Sequence, residues 1–129
     1  MSIFLLSTIA FAAKPPVKVQ KAFEAKFATA TGIKWAKENS KEWEAEFTVD
    51  TVKMSANFSN DGSWVETETQ ISASQLPDAA TATIKKLHPT GEIVGAYKID
   101  SAKNGIKYEA DVKIGKKTVE VFVKEDGSQ

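Results

Sequence analysis

The five residues Trp43-Glu44-Ala45-Glu46-Phe47 alternate apolar and acidic side chains, and the pattern recurs near the end of the chain as Tyr108-Glu109-Ala110-Asp111-Val112. Because successive side chains of a β-strand point to opposite faces of the sheet, this alternation predicts a strand with one apolar and one polar face. The recurrence predicts that the chain contains the same strand twice.

The similarity between the two copies extends on both sides of these strands. Downstream, Asp61-Gly62-Ser63 corresponds to Asp126-Gly127-Ser128, and both are typical of turns between strands rather than of helical calcium loops. Upstream, an apolar stripe at helical spacing predicts a helix over 17–30, ended by Gly32. A second helix is predicted to begin at Pro77-Asp78 and to end at His88-Pro89. We therefore divide the chain into a first unit over 14–73 and a second over 74–129.

Seven strands are predicted, near residues 33–38, 43–50, 53–59, 64–70, 92–100, 106–114 and 118–124. Short connections such as Asn104-Gly105 favour antiparallel pairing. The predicted fold class is α+β: a tandem repeat of a helix plus an antiparallel β-meander, with the helices packed on one face of a joined sheet. The opposite face is expected to meet solvent or a partner.

The first thirteen residues carry no charge and contain a short apolar run that ends in an Ala10-Phe11-Ala12 motif. Such a segment is typical of a secretory signal peptide, and it is shorter than the ~20 apolar residues that span a bilayer. The alternative is a buried N-terminal strand or helix. We predict a signal peptide over 1–13, a periplasmic or secreted protein, and no stable membrane insertion after signal removal.

The composition excludes several classes of function. The 129 residues include 17 basic side chains, all of them lysine, against 17 acidic ones, with one histidine and no cysteine. Without arginine or net positive charge, nucleic-acid binding is disfavoured. Without cysteine there are no disulfides, thiolate nucleophiles or zinc ribbons, and His88 alone supports neither a multi-histidine metal site nor a serine triad. We predict no cofactor, no catalytic residues and no enzymatic activity.

An acidic stretch is the densest charged feature, with eight acids between Glu38 and Glu68 against two lysines. Glu44 and Glu46 are predicted to lie on a solvated sheet face, as are Glu66 and Glu68 on a neighbouring strand. Together they would form a patch for calcium or a basic partner, or they would simply pair with cross-strand lysines. A hydrolase with paired carboxylates needs one acid of raised pKa, which exposed glutamates do not provide.

The aromatic residues separate into core and surface candidates. Trp43 and Tyr108 occupy matching apolar positions and are predicted to be core. Phe122 alternates against neighbouring valines and is predicted on the polar face, either as an anchor for a partner or as a shielded residue where the two units meet. The candidate partner-binding residues are Trp64, Glu66, Glu68, Glu44, Glu46 and Phe122.

The order of these motifs resembles the PepSY-like group of small exported bacterial proteins, which are also described as similar to the beta-lactamase inhibitor protein. The resemblance rests on Ala22-Phe23 with Phe27, Trp35, Trp43–Phe47, Phe58–Trp64, Glu66–Glu68 and Leu76-Pro77. It implies the helix-plus-meander fold and an extracytoplasmic setting. The inhibitor protein grips its enzyme with a concave sheet surface and hairpin loops and carries disulfides, which this chain lacks; no inhibitory residue transfers by motif.

These observations predict a non-catalytic exported binding protein with a protein partner in the cell envelope, inhibition of an extracytoplasmic enzyme being one form of that role. It would use the exposed sheet face and the hairpin loops around Asn39-Ser40 and Lys103–Gly105. The alternative is a periplasmic protein that binds a small ligand or calcium through the acidic patch.

Overall fold

A computed structural model describes residues 14–129, so the predicted signal peptide over 1–13 lies outside the described part of the chain. The order of elements is helix, four strands, helix, three strands, with a short 3-10 turn before the second helix. Their bounds are α1 Val17–Lys26, β1 Thr31–Lys37, β2 Glu42–Val49, β3 Val52–Ser59, β4 Trp64–Ile71, the 3-10 turn Ala73–Gln75, α2 Asp78–Leu87, β5 Glu92–Ser101, β6 Gly105–Ile114 and β7 Lys117–Val123.

All seven strands form one antiparallel sheet in which the spatial order equals the chain order, β1 to β7. The first four strands join the last three through β4 and β5, whose pairing runs from Glu66 opposite Ser101 to Ile71 opposite Ala96. The predicted α+β class and the joined antiparallel sheet are confirmed. The division into two repeated units at residue 73 stays a prediction.

Both helices pack on the same face of the sheet, which we call the helix face. The buried side of α1, Val19 and Phe23, contacts apolar side chains of β2 and β3, with the half-buried Trp35 of β1 packed alongside. The buried side of α2, Ala80 and Ile84, contacts apolar side chains of β5, β6 and β7. Trp43 and Tyr108 belong to these two clusters, so their prediction as core residues is confirmed.

The first helix is shorter than predicted. It ends at Lys26, with Phe27 as its C-cap, and Gly32 lies inside β1 instead of ending the helix. Phe27 still packs on the core, with ring centroids 5.3 Å from Phe23 and 4.7 Å from Phe47. The apolar stripe therefore correctly predicted residues that pack together, although Phe27 lies just beyond the end of the helix.

The two Asp-Gly-Ser segments form turns, as predicted, and each turn touches a helix. In each, the aspartate Oδ1 accepts a hydrogen bond from the serine backbone N–H, at 3.0 Å for Ser63 and 2.9 Å for Ser128. Both glycines have positive φ, and an added Cβ would lie 2.9 Å from the Lys18 carbonyl oxygen at Gly62 and 2.7 Å from that of Ala79 at Gly127. Only glycine therefore lets these turns approach α1 and α2 so closely.

Candidate functional site

The sheet face opposite the helices, which we call the open face, carries most of the acidic side chains of the strands. The strand register places the following residues there: Glu42, Glu44 and Glu46 of β2, Ser55 and Asn57 of β3, Glu66 and Glu68 of β4, Tyr97 and Ile99 of β5, Lys107, Glu109 and Asp111 of β6, and Glu120 and Phe122 of β7. The predicted neighbourhood of the two acidic strands is confirmed, since β3 lies between β2 and β4.

The solvated state predicted for these glutamates is wrong at its centre. Glu68 and Glu109 are 0% exposed and Glu44 is 7% exposed, whereas Glu46 and Glu66 are half-buried. These residues lie on inner strands, where side chains of both neighbouring strands flank each carboxyl group. The alternating sequence predicted correctly on which face these glutamates lie, but it did not predict that they are shielded from water.

Glu44 shows the electrostatic consequence most clearly. Burial, together with a contact to the Glu38 carboxyl group and the charges of Glu46 and Glu68, raises the pKa of Glu44 to about 9. Two carboxylates in contact have no hydrogen-bond donor between them, so one must carry a proton. Glu44 is therefore neutral at pH 7 and donates its proton toward Glu38.

A second carboxyl pair lies on β6. Burial, the charge of Glu68 and contact with Asp111 raise the pKa of Glu109 to about 8. Burial also raises the pKa of Asp111, against the hydrogen bonds that it makes with Glu109 and Tyr97. Because the charge of Glu68 acts on both Glu44 and Glu109, it links the two pairs across the sheet.

Phe122 lies on the open face as predicted and is half-buried. It stands directly opposite Glu109 on β7, while Tyr97 stands opposite Glu109 on β5. Lys107 Nζ lies 5.0 Å from the centroid of the Phe122 ring, a cation–π distance. The two aromatic rings therefore flank Glu109 and keep water from it. Phe122 does not lie where the two predicted units meet, because β7 is an edge strand and the first four strands join the last three through β4 and β5. A role of Phe122 in partner binding stays a prediction.

Glu66 differs from the buried acids because a lysine lies close to it. Burial raises the pKa of Glu66, and the charge of Lys107 opposes that shift. Nearer the β1 edge, Lys34 stands opposite Glu46 in the register. Lys34, Glu46 and Lys53 line a shallow hollow of about 320 Å³. Glu46 and Glu66 thus each have a lysine nearby, whereas Glu44 and Glu109 lie beside other acids.

Trp64 is not part of this face. A β-bulge between β3 and β4 pairs Asn57 with Glu66 but Phe58 with Trp64, so Val65 is the extra residue. One extra residue reverses the side on which a side chain lies. Trp64 therefore packs beside the α1 cluster, with Lys26 Nζ 4.0 Å from its ring centroid and its Nε1 donating to Thr67 Oγ1 at 2.9 Å. Trp64, one of the candidate partner-binding residues, therefore lies on the other side of the sheet from Glu66 and Glu68.

Several open-face residues were not singled out from the sequence as binding candidates: Glu109, Asp111, Tyr97 and Glu120. The first two stand at the positions of Glu44 and Glu46 in the recurring five-residue pattern, so the recurrence itself contained the signal that would have found them. Tyr97 and Glu120 become neighbours of this pair only through the pairing of β5 and β7 with β6.

Residues 41–128, well over half of the chain, match the model of the beta-lactamase-inhibitor-like, PepSY-like family. The chain belongs to this family. No curated protein sequence is significantly similar to it. Within residues 14–129, neither helix is long and apolar enough to cross a membrane.

Solved structures with the same fold come from Bacteroides species. A Bacteroides eggerthii protein described as periplasmic is 18% identical, with a TM-score of 0.83 over 90% of this chain and 86% of that one. A BLIP-like protein from Bacteroides fragilis is 20% identical, with a TM-score of 0.77 over 90% of this chain and 83% of that one. A third, from Bacteroides uniformis, is 17% identical, with a TM-score of 0.81 over 89% and 86%. At these identities the similarity shows the fold.

Proposed function

We propose that this protein is an exported, non-catalytic binding protein, periplasmic or secreted, that holds a protein partner on the open face of its sheet. The observation that carries the proposal is the set of buried carboxyl groups on a face that neither helix covers. Burying carboxyl groups beside one another is unfavourable, because burial and like charges both oppose ionisation. A partner that supplied hydrogen-bond donors or positive charge would offset that cost.

The chemistry of this face favours a partner segment that carries basic side chains. Glu42, Glu46 and Glu66 are half-buried and lie on the same face as the buried acids, so they are partly exposed to a partner. Interfaces place complementary charges opposite one another, and such pairs raise association rates and specificity. The partner is therefore expected to bind more weakly as the salt concentration rises.

Inhibition of an extracytoplasmic enzyme is the specific form of this role that the family description and the Bacteroides fragilis BLIP-like neighbour support. Two hairpin loops on the sheet are held by side-chain hydrogen bonds, as a rigid contact surface needs. Asn60 Nδ2 donates to the Ser40 carbonyl oxygen at 3.0 Å, and the Asn104 backbone N–H donates to Ser101 Oγ at 3.0 Å. Loops fixed in this way lose little entropy when they bind.

The raised pKa values of Glu44 and Glu109 are the one feature that would suit an enzyme, because general acids often have such values. A catalytic acid must, however, come within hydrogen-bond distance of its substrate. Glu44 and Glu109 are buried between the side chains of adjacent strands, which supports a binding role over a catalytic one.

The proposal is tested by reversing charge at the rim of the open face. Wild-type protein, Glu46→Lys and Glu66→Lys are used to capture partners from native envelope extract, with Glu24→Lys, at an exposed acid of α1, as the control. We expect the same partner with wild type and Glu24→Lys and at least a tenfold weaker interaction with either open-face variant. Equal binding by all four proteins would exclude the open face as the binding surface.

The inhibitor form has its own assay. The protein is titrated against purified beta-lactamases and against the enzyme captured above, and the residual activity is measured. Inhibition by the wild-type protein that becomes weaker with Glu46→Lys would support a role as an enzyme inhibitor. If the captured partner keeps full activity when saturated, the protein binds without inhibiting.

A further inference from the structure

Three carboxyl groups at the β6–β7 end of the open face come together in one place. In the described residues, Glu109, Asp111 and Glu120 each offer a carboxylate oxygen, and these oxygens all lie within 4.8 Å of one another. Asp111 and Glu120 are directly opposite in the pairing of β6 with β7, and Glu109 lies two residues before Asp111 on the same face. The cluster thus rests on two paired strands of the sheet.

The spacing of these oxygens suits a single cation. Calcium binds oxygen ligands at about 2.3–2.6 Å, so two oxygens on one ion lie no more than about 5 Å apart. Three oxygens within 4.8 Å of one another can therefore contact the same ion without a change of the backbone.

The hydrogen bonding of the two buried members is an independent indication of a ligand site. Glu109 is 0% exposed, and neither of its carboxyl oxygens accepts a hydrogen bond from an N–H or O–H group of the described chain. Asp111 is 5% exposed, and its Oδ1 is likewise without a donor there. The two carboxyl groups contact each other, and Asp111 also hydrogen-bonds with Tyr97. Buried acceptors in this state are costly, and a cation between them removes the cost.

A glycine of the neighbouring strand lets side chains of the cluster pack closely against β5. An added Cβ at Gly95 would lie 3.0 Å from Asp111 Oδ2 and 3.2 Å from the Tyr97 hydroxyl oxygen, so both groups lean over a residue that has no side chain. A β-bulge between Ile93 and Gly95 sets this part of β5 against β6. The Tyr97 hydroxyl hydrogen-bonds with Asp111 and so helps to orient it.

We infer that Glu109, Asp111 and Glu120 form a binding site for a divalent cation, with Ca²⁺ as the ion that the donors fit. All donors are oxygens, which calcium prefers, whereas zinc sites are built mainly from nitrogen and sulfur. The exposed Glu120 leaves one side of the site to water, as in weak extracellular calcium sites with Kd values of roughly 10⁻⁴–10⁻³ M. This inference goes beyond the proposed partner binding and does not depend on it.

This site differs in location from the calcium site that the sequence suggested. The sequence suggested the acids between Glu38 and Glu68, but the three-carboxylate group found in residues 14–129 lies on β6 and β7.

The test uses the full chain with calcium and terbium as probes. Calcium is titrated by calorimetry and by melting temperature, and Tb³⁺ is followed by luminescence sensitised through an aromatic side chain, with Ca²⁺ as the competitor. We expect Ca²⁺ to bind, to raise the melting temperature and to displace Tb³⁺. Tyr97→Phe should lower the sensitised emission, because Tyr97 contacts Asp111 and so lies close to the ion. The same variant should leave the calorimetric calcium affinity within a fewfold of wild type, because Tyr97 is not itself a ligand.

Ligand variants decide the location. Glu120→Gln changes an exposed side chain and should weaken calcium binding at least tenfold without changing the melting temperature in chelator; Asp111→Asn should weaken it similarly. The matched control, Glu24→Gln at an exposed position of α1, should bind as wild type does. No calcium heat at millimolar concentration, or binding unchanged by both Glu120→Gln and Asp111→Asn, would overturn the inference. Because no partner protein is present, either result leaves the test of partner binding unaffected.

Discussion

The two faces of the sheet are both buried at their centres, yet they are buried in opposite ways. On the helix face, apolar side chains of α1 and α2 cover apolar side chains of the strands. On the open face, the buried centre includes Glu44, Glu68 and Glu109, flanked by the side chains of neighbouring strands. The strands are the same, and only the alternation of their side chains separates a hydrophobic core from a cluster of carboxyl groups.

This difference teaches where the stability and the binding capacity of the molecule reside. Apolar burial on the helix face is the main favourable contribution to folding. Carboxyl burial on the open face opposes folding, because the charged forms are desolvated and repel one another. We therefore expect truncation of apolar side chains on the helix face to lower stability. Neutralising a buried acid on the open face should raise it.

The largest effect is expected from Phe23→Ala on the helix face. Phe23 is 2% exposed and packs edge-on against Phe47 with ring centroids 4.9 Å apart, so truncation leaves a cavity beneath α1. We expect a loss of about 3–5 kcal/mol in the free energy of unfolding, measured by urea denaturation. Val17→Ala, at an exposed position of the same helix, should change it by less than about 0.5 kcal/mol. Equal losses would show that α1 does not cover a core.

The contact between a turn and its helix should come next. Gly127→Ala places a Cβ 2.8 Å from Thr83 Oγ1 as well as against the Ala79 carbonyl, and it disturbs the 2.7 Å hydrogen bond from Thr83 Oγ1 to the Gly127 carbonyl. We expect a loss of about 2 kcal/mol in thermal or urea unfolding. Gly105→Ala is the matched control, since Gly105 also has positive φ but nothing within 4 Å of the added Cβ. A similar loss of stability in Gly127→Ala and Gly105→Ala would mean that backbone strain alone, and not the contact with α2, causes the loss.

The open face should show the opposite sign. The pKa of Glu44 is raised to about 9 in the folded protein against an ordinary 4.5, so the folded state keeps a proton that the unfolded state releases. Stability is therefore unaffected by this group below about pH 4.5 and falls as the pH rises from there toward 9. Glu44→Gln, which mimics the neutral form, should flatten this fall and raise stability at pH 8 by about 1 kcal/mol.

The measurement for Glu44 is urea unfolding at several pH values between 5 and 9. Glu92→Gln serves as the control because Glu92 is exposed on β5, and its pH profile should follow that of wild type. A Glu44→Gln profile parallel to wild type would contradict the buried, protonated state of Glu44.

The smallest effect is expected from Phe122→Ala on the open face, which is compared with Val121→Ala at the adjacent residue on the helix face of β7. Val121 is buried under α2, whereas the larger Phe122 is only half-buried on the open face. We expect Val121→Ala to cost about 2 kcal/mol and Phe122→Ala less than about 1 kcal/mol, by urea denaturation. A larger loss at Phe122 would mean that the open face contributes a core of its own.

Much of the fold was predictable because it follows from local periodicity. The alternation in 43–47 and 108–112 and the turns at Asn104-Gly105 and Asp61-Gly62 located the strands to within a few residues, and the antiparallel order followed from the short connections. The end of α1 was predicted four residues too late, because an apolar stripe reports which residues meet the core and not which backbone hydrogen bonds continue the helix.

The candidate site was only partly predictable. Glu44, Glu46, Glu66, Glu68 and Phe122 were placed on the correct face, because period two decides the face of each strand residue. The side on which Trp64 lies could not be predicted, because a β-bulge depends on how two strands pair and leaves no local pattern at Val65. The exposure of the glutamates was also predicted wrongly, since a polar side chain in an alternating strand is usually solvated.

By itself, then, the sequence determined the α+β class, the meander, the apolar core residues and the family resemblance that the match over residues 41–128 confirms. Only the tertiary structure decided that the open face buries carboxyl groups and that Glu109, Asp111 and Glu120 meet. The physical reason is that alternation acts within one strand, whereas burial, pKa and metal-ligand spacing depend on which strands lie side by side.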